Sequence, residues 1–295
     1  MERKLGKNKQ NILVTGGAGF VGTNLIKRLL KDGHRVVSLD NYSTGDEKNE
    51  QKGCQYYNVD IRDCVNFDFF MDSPDIIYHL AALPRIQPSF EYPASTFECN
   101  VLGTMNILEW AREKDCSVVY AGSSSVHGGH YKNPYTFTKW QGEEMVNLYN
   151  KLFNVRTSIC RFYNVYGPHH LTEGEYCTVI GIFERQYKNN EELTITGDGE
   201  QRRDFTHVED IVDGFVKCGE NMDKANGKIF ELGYGENFSI NVVAQSFDVG
   251  YTYIPERPGE VRETLCTDTT ARDILGWKPK HYLLDYIEEK VNETN

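Results

Sequence analysis

The sequence lacks several features that mark other classes of protein. Its 295 residues include eight cysteines but no Cys-x-x-Cys pair, so neither a zinc cluster nor a disulfide scaffold is expected. No apolar run is long enough to span a membrane, and no apolar core follows the basic start MERKLGKNKQ as it would in a secretory signal. Positive charge is scarce: the net charge of −11 argues against nucleic acid as the main partner. These absences predict a reducing, cytoplasmic protein that has no metal centre and binds no membrane.

A strand, a glycine turn, a helix and a second strand can be read from NILVTGGAGFVGTNLIKRLLKDGHRVVSLD. Residues 12–14 form a short apolar run typical of a buried parallel strand, and residues 23–31 have helical periodicity. Gly16, Gly19 and Gly22 let the backbone approach a pyrophosphate at the helix N-terminus, where N–H groups favour anions. Asp40 closes the second strand. Its carboxylate would bind an adenosine ribose there and favour NAD over NADP.

Strands and helices continue to alternate along the chain, which predicts an α/β fold. We expect a Rossmann-type doubly wound parallel sheet with a smaller, mixed α/β C-terminal substrate domain. Residues 1–164, joined by about 208–232, would bind NAD, and residues 165–207 and 233–295 would bind the substrate. Ligands of such sheets bind at the carboxyl ends of the strands, where Asp60, Ala81, Ala82 and Ser123 fall.

Tyr135 and Lys139 are four residues apart, so on a helix they share one face. A free tyrosine has a pKa of about 10, and a nearby ammonium group would lower that pKa. A serine hydroxyl at a neighbouring strand end would complete the set: a tyrosine base, a lysine that lowers its pKa and a serine that donates a hydrogen bond to the substrate. Such a pair is also common on exposed amphipathic helices. Combined with the glycine turn and Ser123, however, it favours a hydride-transfer enzyme.

The sequence resembles the extended short-chain dehydrogenase/reductases, and within them the nucleotide-sugar epimerases and dehydratases. The resemblance covers residues 11–290 and is carried by TGGAGFVG, LDNYSTG, DIRD, HLAA, NVLGTMNIL, SSSVHGG, YTFTK, RFYNVYGP, RRDFTHVEDIVDG and RPGEV. It implies tightly held NAD, a nucleotide-diphosphate sugar (UDP-linked by analogy) and a catalytic set of Ser123, Tyr135 and Lys139.

The resemblance also implies binding residues, which were carried over one position at a time. For the cofactor these are Gly16, Gly19, Phe20, Val21, Gly22, Asp40, Asn41, Asp60, Ile61, Leu80, Ala81, Ala82, Asn100, Tyr135, Lys139 and Tyr163. For the substrate they are Ser123, Asn164, Thr194, Arg203, Arg257 and Thr264. The forks of the two arginines match phosphate oxygens, although either arginine alone could equally form a surface ion pair.

Serines at positions 124 and 125 narrow the reaction that the resemblance implies. In the family, dehydratases carry an acid directly after the catalytic hydroxyl residue, and decarboxylases carry a Glu two positions after that residue. Ser124 and Ser125 therefore favour 4-epimerisation through a transient 4-keto sugar. A 4,6-dehydratase or 4-reductase on the same scaffold is the alternative, followed by a non-catalytic NAD-binding sensor. Thr264 falls at the gate beside the sugar C2 substituent, where a small residue leaves room for an N-acetyl group.

The chain also departs from the family pattern. His127 stands where the family usually has Tyr, and we expect it to be packed or partly exposed. The loop between Gly128 and Pro134 is shortened, and the segment after Asn237 lacks room for a full helix. Relatives commonly dimerise through a four-helix bundle, which would here use residues of about 94–114 and 135–152.

Overall fold

The computed structural model describes residues 9–63 and 67–294, so the first eight residues and Cys64 lie outside it. Its strands are β1 (Asn11–Thr15), β2 (Arg35–Asp40), β3 (Cys54–Asn58), β4 (Ile76–His79), β5 (Ser117–Ser123), β6 (Thr157–Phe162), β7 (Val165–Tyr166), β8 (Leu193–Thr196), β9 (Arg202–Asp204), β10 (Thr206–His207), β11 (Lys228–Leu232), β12 (Asn237–Ser239) and β13 (Tyr251–Ile254). Its α-helices are α1 (Phe20–Lys31), α2 (Ile86–Glu91), α3 (Pro93–Phe97), α4 (Thr104–Lys114), α5 (Pro134–Phe153), α6 (Val179–Lys188), α7 (Val208–Glu220), α8 (Met222–Ala225), α9 (Ile240–Gln245), α10 (Thr270–Leu275) and α11 (Leu283–Thr294). A π-helical segment, Glu98–Gly103, joins α3 to α4, and short 3₁₀ turns cover Glu47–Asn49, Phe67–Phe69 and Ser124–Gly128.

A seven-stranded sheet in the order β11-β6-β5-β4-β1-β2-β3 forms the centre of the molecule. All six pairings between its strands are parallel. The chain proceeds from β1 through β2 to β3 on one side and from β4 through β5 to β6 on the other. The order therefore reverses between β1 and β4, where a crevice opens at the carboxyl ends of the strands. The predicted Rossmann-type α/β fold is confirmed.

Helices cover both faces of this sheet. Leu25 of α1 and Phe215 of α7 are fully buried in the apolar cluster on one face. Ile107 of α4 and Val146 of α5 are fully buried in the cluster on the other face. Burial of one such side chain contributes about 1.5–3 kcal/mol, so the two clusters fix the helices against the sheet.

A third apolar cluster lies in the C-terminal half and includes Phe183, Ile195 and Phe247. The chain does not remain there, because Trp277 packs in the first cluster, against the sheet. The indole N–H of Trp277 donates to the Asp210 carbonyl at 2.8 Å. Residues near 277, which the sequence division places with the substrate, thus anchor the C-terminal half to the sheet.

Asp204 ties three C-terminal segments together from a fully buried position. Its carboxylate accepts the N–H groups of Tyr234 at 2.8 Å, Gly235 at 3.0 Å and Cys266 at 3.0 Å. Each such buried N–H would cost about 1–3 kcal/mol if it were left unpaired. The end of β9 is therefore held against the turn after β11 and the segment before α10.

The sequence predicts a shortened helix after Asn237 and no helix that spans a membrane. The segment after Asn237 holds α9, a helix of only six residues, in line with the shortening read from the sequence. Within residues 9–63 and 67–294, no helix is long and apolar enough to cross a membrane.

Candidate active site

A cavity of about 460 Å³ lies at the carboxyl ends of the central strands. It brings together most of the residues that the sequence predicts for the cofactor and for the sugar. The predicted residues that line it are Gly16, Gly19, Phe20, Val21, Gly22, Asp40, Asn41, Asp60, Ile61, Leu80, Ala81, Ala82, Ser123, Tyr135, Lys139, Asn164, Thr194, Arg203, Arg257 and Thr264. Both sets of residues therefore face one continuous space.

The glycine turn brings the N-terminus of α1 to this cavity. Gly16 has a φ of +75°, a left-handed conformation that glycine adopts freely. A Cβ on Gly22 would lie 2.1 Å from the carbonyl oxygen of Gly16, so a side chain cannot be accommodated there. Gly19 caps α1 without a side-chain hydrogen bond, which leaves the first N–H groups of the helix open to an anion. The turn fits the pyrophosphate of NAD.

Asp40, at the end of β2, is only 8% exposed. One carboxylate oxygen accepts the N–H of Ala18 at 2.9 Å, and the other accepts the N–H of Tyr42 at 2.8 Å. Burial raises the pKa of Asp40, whereas these two N–H groups lower it. The carboxylate thus braces the glycine turn and still has lone pairs with which to accept ribose hydroxyls.

Asn41 and Asp60 interact with each other beside Asp40. The Asn41 amide donates to the Asp60 carboxylate at 2.9 Å, and Arg62 donates to the same carboxylate at 2.6 Å. Hydrogen bonds from Arg62 are the main reason that the pKa of Asp60 falls to about 2. Asp60 therefore stays ionised beside Asp40 and is paired with Arg62.

Two predicted cofactor residues, Asn100 and Tyr163, do not line the cavity. The amide of Asn100 instead accepts the N–H of Leu83 at 2.8 Å and donates to the Thr138 hydroxyl at 3.0 Å, which anchors the loop after β4. Tyr163 is 4% exposed, and the preceding residue, Phe162, faces the cavity in its place. Successive side chains of an extended chain point to opposite sides. When Phe162 faces the cavity, its neighbour Tyr163 therefore points away from it.

Ser123 and Tyr135 meet because β5 ends where α5 begins. Asn133 caps α5 by accepting the N–H of Thr136 at 2.7 Å, and Pro134 occupies the first helical position, where proline is favoured. Burial raises the pKa of Tyr135, whereas a hydrogen bond with Ser123 and the positive charge of Arg85 lower it. Both side chains line the cavity, where the Ser123 hydroxyl donates to the Ser125 hydroxyl at 3.0 Å.

Lys139 lies on α5, one turn after Tyr135, and lines the same cavity. Its ammonium donates to the Ala121 carbonyl at 2.9 Å and lies 5.1 Å from the centre of the Tyr120 ring. Burial is the main cause that lowers the pKa of Lys139, to about 8. A buried ammonium needs partners close by, and in this structure the strand end of β5 supplies them. The groups that lower the pKa of Tyr135 are Ser123 and Arg85.

A buried ion pair behind these residues was not anticipated from the sequence. Glu143 accepts the Ser123 N–H at 3.4 Å and is bonded by Arg161 at 2.6 Å. Arg161 also donates to Glu231 at 2.9 Å, and Glu231 accepts from His127 at 2.9 Å. The spacing of four residues from Lys139 places Glu143 on the same face of α5, but its partner Arg161 lies on a different element.

The hydrogen bond to Glu231 raises the pKa of His127. The His127 side chain remains half-exposed, as the sequence led us to expect.

The predicted diphosphate arginines differ in their surroundings. Arg203 is 9% exposed, and its guanidinium forms an ion pair with Glu260 at 3.2 Å. Burial lowers the pKa of Arg203, whereas Glu260 raises it. Arg257 also lines the cavity but is exposed. One arginine is therefore held in place and the other projects from a loop.

Asn164, Thr194 and Thr264 are each fixed by hydrogen bonds. The Asn164 amide donates to the Thr264 hydroxyl oxygen at 2.9 Å, and the Asp204 N–H donates to the same oxygen at 3.1 Å. The hydroxyl of Thr194 accepts from the Gln186 amide at 3.0 Å. These three positions present short, immobilised side chains to the cavity.

Arg85 is a cavity residue that the sequence reasoning missed. It lies in the loop between β4 and α2, a few residues beyond the predicted Ala81 and Ala82. Charged residues on a loop that follows a central strand are typical of binding sites in this fold. That placement was the signal available in the sequence.

A doubly wound parallel sheet with a glycine turn, a strand-end serine and a Tyr–Lys pair in one cleft defines a dinucleotide-dependent α/β enzyme. Residues 12–233 match the NAD dependent epimerase/dehydratase family. The chain therefore belongs to the NAD-dependent epimerase/dehydratase family, which confirms the resemblance read from its motifs and NAD as the cofactor.

Similar proteins include enzymes of more than one activity. The UDP-glucose 4-epimerase of Mycolicibacterium smegmatis is 32% identical over 306 residues, which cover 95% of this chain and 96% of that protein. The UDP-glucuronic acid decarboxylase 1 of Xenopus tropicalis is 29% identical over 98% of this chain and 72% of its own length. The crystal structure of the Thermotoga maritima UDP-glucose 4-epimerase with UDP-glucose has a TM-score of 0.88 and 27% identity, covering 96% of this chain and 98% of that chain.

Substitution of Gly22 by alanine should abolish retention of NAD, because the added Cβ would overlap the Gly16 carbonyl oxygen at 2.1 Å and deform the turn. We expect the Gly22→Ala protein to purify with less than about a tenth of the NAD content of the parent. A loss of only about 1.4 kcal/mol of binding free energy weakens the affinity for NAD tenfold. The measurement is chromatography of nucleotides released by denaturation, with circular dichroism as a check on the fold.

Gly250→Ala is the matched control, because the nearest atom to its added Cβ is the flexible Glu192 carboxylate at 3.4 Å. A Gly22→Ala protein with undiminished NAD would show that the turn does not hold the pyrophosphate.

Proposed function

We propose that the protein interconverts the C4 epimers of a UDP-hexose or UDP-N-acetylhexosamine through a transient 4-keto sugar. The observation that carries this proposal is that Ser123, Tyr135 and Lys139 line the same cavity as the glycine turn, while positions 124 and 125 are both serine. Elimination of water needs an acid beside the leaving hydroxyl, and a neutral serine serves poorly. Two of the similar proteins described above are UDP-glucose 4-epimerases, which supports the same reaction.

Tyr135 is the base in this scheme. Its phenolate removes the proton from the sugar 4-hydroxyl while the Ser123 hydroxyl holds that oxygen. The pKa of Tyr135 is raised by burial and lowered by Ser123 and by the charge of Arg85, so the base depends on its neighbours for ionisation. NAD, when bound, supplies the chemistry that these side chains lack by accepting the C4 hydride and returning it to the opposite face.

The two binding functions fall on different parts of the chain. Residues 1–164, with 208–232, hold NAD through the glycine turn, Asp40 and Lys139. Residues 165–207 and 233–295 hold the nucleotide sugar, with Arg203 and Arg257 on the diphosphate. A sugar tethered by its diphosphate can turn over between the two hydride transfers, which is what epimerisation requires.

Thr264 determines how much space is available beside the sugar C2 substituent. Its hydroxyl oxygen is fixed by Asn164 and by the Asp204 N–H, so the side chain cannot swing into the cavity. A short residue fixed in this way leaves room for an N-acetyl group. N-acetylhexosamines are therefore within the proposed substrate range, together with unsubstituted hexoses.

Incubation of the purified protein with UDP-GlcNAc, and separately with UDP-glucose, should produce the galacto epimer without added NAD. Bound cofactor is regenerated in each cycle, so none has to be supplied. Proton NMR resolves the two epimers and also detects a 4-keto-6-deoxy product, which would contradict the proposal in favour of dehydration.

Tyr135→Phe is the control for this experiment, because it removes only the phenol oxygen. We expect the variant to retain NAD and to lose activity by about 10²–10⁴-fold, the usual contribution of a positioned base. Undiminished epimerisation by this variant would rule out Tyr135 as the base.

We further propose that two copies of the chain pair through α5 and the helical run from 93 to 114. Leu148 and Leu152 of α5 are 47% and 65% exposed, and Leu102 and Met105 of the neighbouring run are each 39% exposed. Apolar side chains grouped on two adjacent helices mark an association surface. Two such surfaces would form a four-helix bundle.

Leu152→Glu should convert a dimer to a monomer, because it would bury a carboxylate at the pairing surface. Sedimentation or light scattering at micromolar concentration measures the mass directly. Val242→Glu is the control, since Val242 is 39% exposed on α9, away from these helices. A wild-type protein that is monomeric would contradict the proposal, as would an unchanged mass for Leu152→Glu.

A further inference from the structure

A cluster of two histidines and a glutamate joins the start of α7 to the segment before α11. His207 ends β10 and caps α7, and Glu209 lies in the first turn of that helix. His281 lies between α10 and α11. One potential ligand atom from each of the three side chains lies within 4.8 Å of the other two. The cluster is outside the set of described residues that line the cavity, so it has no role in the scheme above.

Asp210 fixes the orientation and the tautomer of His281. One carboxylate oxygen of Asp210 lies 3.0 Å from the His281 Nδ1, and the other accepts the backbone N–H groups of Lys280 and His281, each at 2.9 Å. A carboxylate has no proton to donate, so the Nδ1 of His281 carries the hydrogen of this bond. The Nε2 of the neutral ring is left with a free lone pair. Histidines that bind metals typically have a carboxylate behind them in this way.

The Nε2 of His281 faces a second acceptor. It lies 3.4 Å from a carboxylate oxygen of Glu209. Two lone pairs that face one another repel unless a cation lies between them. Ligand atoms on a tetrahedral zinc ion are about 3.3–3.5 Å apart, because each lies about 2.0–2.2 Å from the metal. The gap between Glu209 and His281 therefore has the size that zinc requires.

His207 is placed to supply a third ligand. It is 5% exposed, and its ring centre lies 4.5 Å from that of His281. Its Nδ1 accepts the Glu209 N–H at 3.3 Å, which is long for such a bond. The side chains of Glu209 and His281 are 62% and 41% exposed, so both can rotate towards His207. One ligand is therefore held by the fold, and two can close on an ion.

The local charge also favours a divalent cation. The first N–H groups of a helix carry partial positive charge, which by itself disfavours a cation at that end. Here the first turn of α7 contains both Glu209 and Asp210. Two carboxylates beside two imidazoles match the charge of a divalent ion.

We propose that His207, Glu209 and His281 bind a zinc ion, with water as the fourth ligand. Two imidazoles, one carboxylate and a water form a common zinc ligand set. This site departs from the expectation that the chain has no metal centre, which rested on the spacing of its cysteines. A bound ion would clamp the segment before α11 onto α7 and so stabilise the C-terminal half against the sheet. The site does not depend on the proposed epimerisation.

The test is a titration of the NAD-containing protein, stripped of metal with a chelator, with zinc alone. Competition with a fluorescent zinc indicator gives the affinity and the stoichiometry, and we expect one tightly bound ion per chain. His281→Ala should weaken zinc binding by more than about 100-fold, since loss of a group behind a ligand already costs about 10–100-fold. Glu209→Gln should also weaken it, and this exposed side chain can be replaced without disturbing the core.

His130→Ala is the matched control, because His130 stacks on Trp140 at 4.5 Å before the start of α5. It should bind zinc as the parent does. Cobalt in place of zinc should give the visible spectrum of a tetrahedral nitrogen and oxygen site. A parent that binds no zinc would overturn the inference and leave a proton between His281 and Glu209. Unchanged affinity in His281→Ala, or a thiolate charge-transfer band with cobalt, would overturn it by placing the metal elsewhere.

Discussion

The end of β5 that carries Ser123 is held in place by a buried ion pair between Glu143 and Arg161. Glu143 is 1% exposed, and the Arg161 Nε donates to its two oxygens at 3.1 and 3.0 Å. Removal of one member of such a pair typically costs about 3–5 kcal/mol, because the other charge is left buried alone. The pair links α5 to β6, and Glu143 also accepts the N–H of Ser123 at the end of β5. The base, its helix and the serine are consequently held by one electrostatic contact.

From this contact the polar network extends outward to the surface. Arg161 reaches Glu231 on β11, and Glu231 reaches the half-exposed His127. On the substrate side, Asp204 plays a comparable part by gathering three backbone N–H groups and fixing Thr264. The proposed catalytic groups therefore lie between two rigid anchors. The less constrained cations, Arg85 and Arg257, face the space where a ligand would be bound.

Local patterns were sufficient to predict the fold and most of the cavity. The glycine turn, Asp40 and the Tyr135–Lys139 spacing each encode a backbone requirement or a helix face, so they can be read from a single stretch of sequence. Phe162 rather than Tyr163 lines the cavity, because successive side chains of an extended chain point to opposite sides. Asn100 is instead bound to Leu83 and Thr138, which are tertiary contacts that a local pattern does not predict. The positions of Arg85 after a central strand and of Glu143 one turn after Lys139 can be read locally, whereas their partners Tyr176 and Arg161 are distant in the sequence and cannot.

The most direct test of the central claim follows the hydrogen on C4. UDP-glucose or UDP-GlcNAc deuterated at C4 would be incubated with the protein in ordinary water, and the epimer would be analysed by NMR and mass spectrometry. If the hydride leaves C4 and returns to it within one site, the product retains its deuterium. Replacement of that deuterium by solvent hydrogen would contradict epimerisation through a 4-keto sugar at Ser123 and Tyr135.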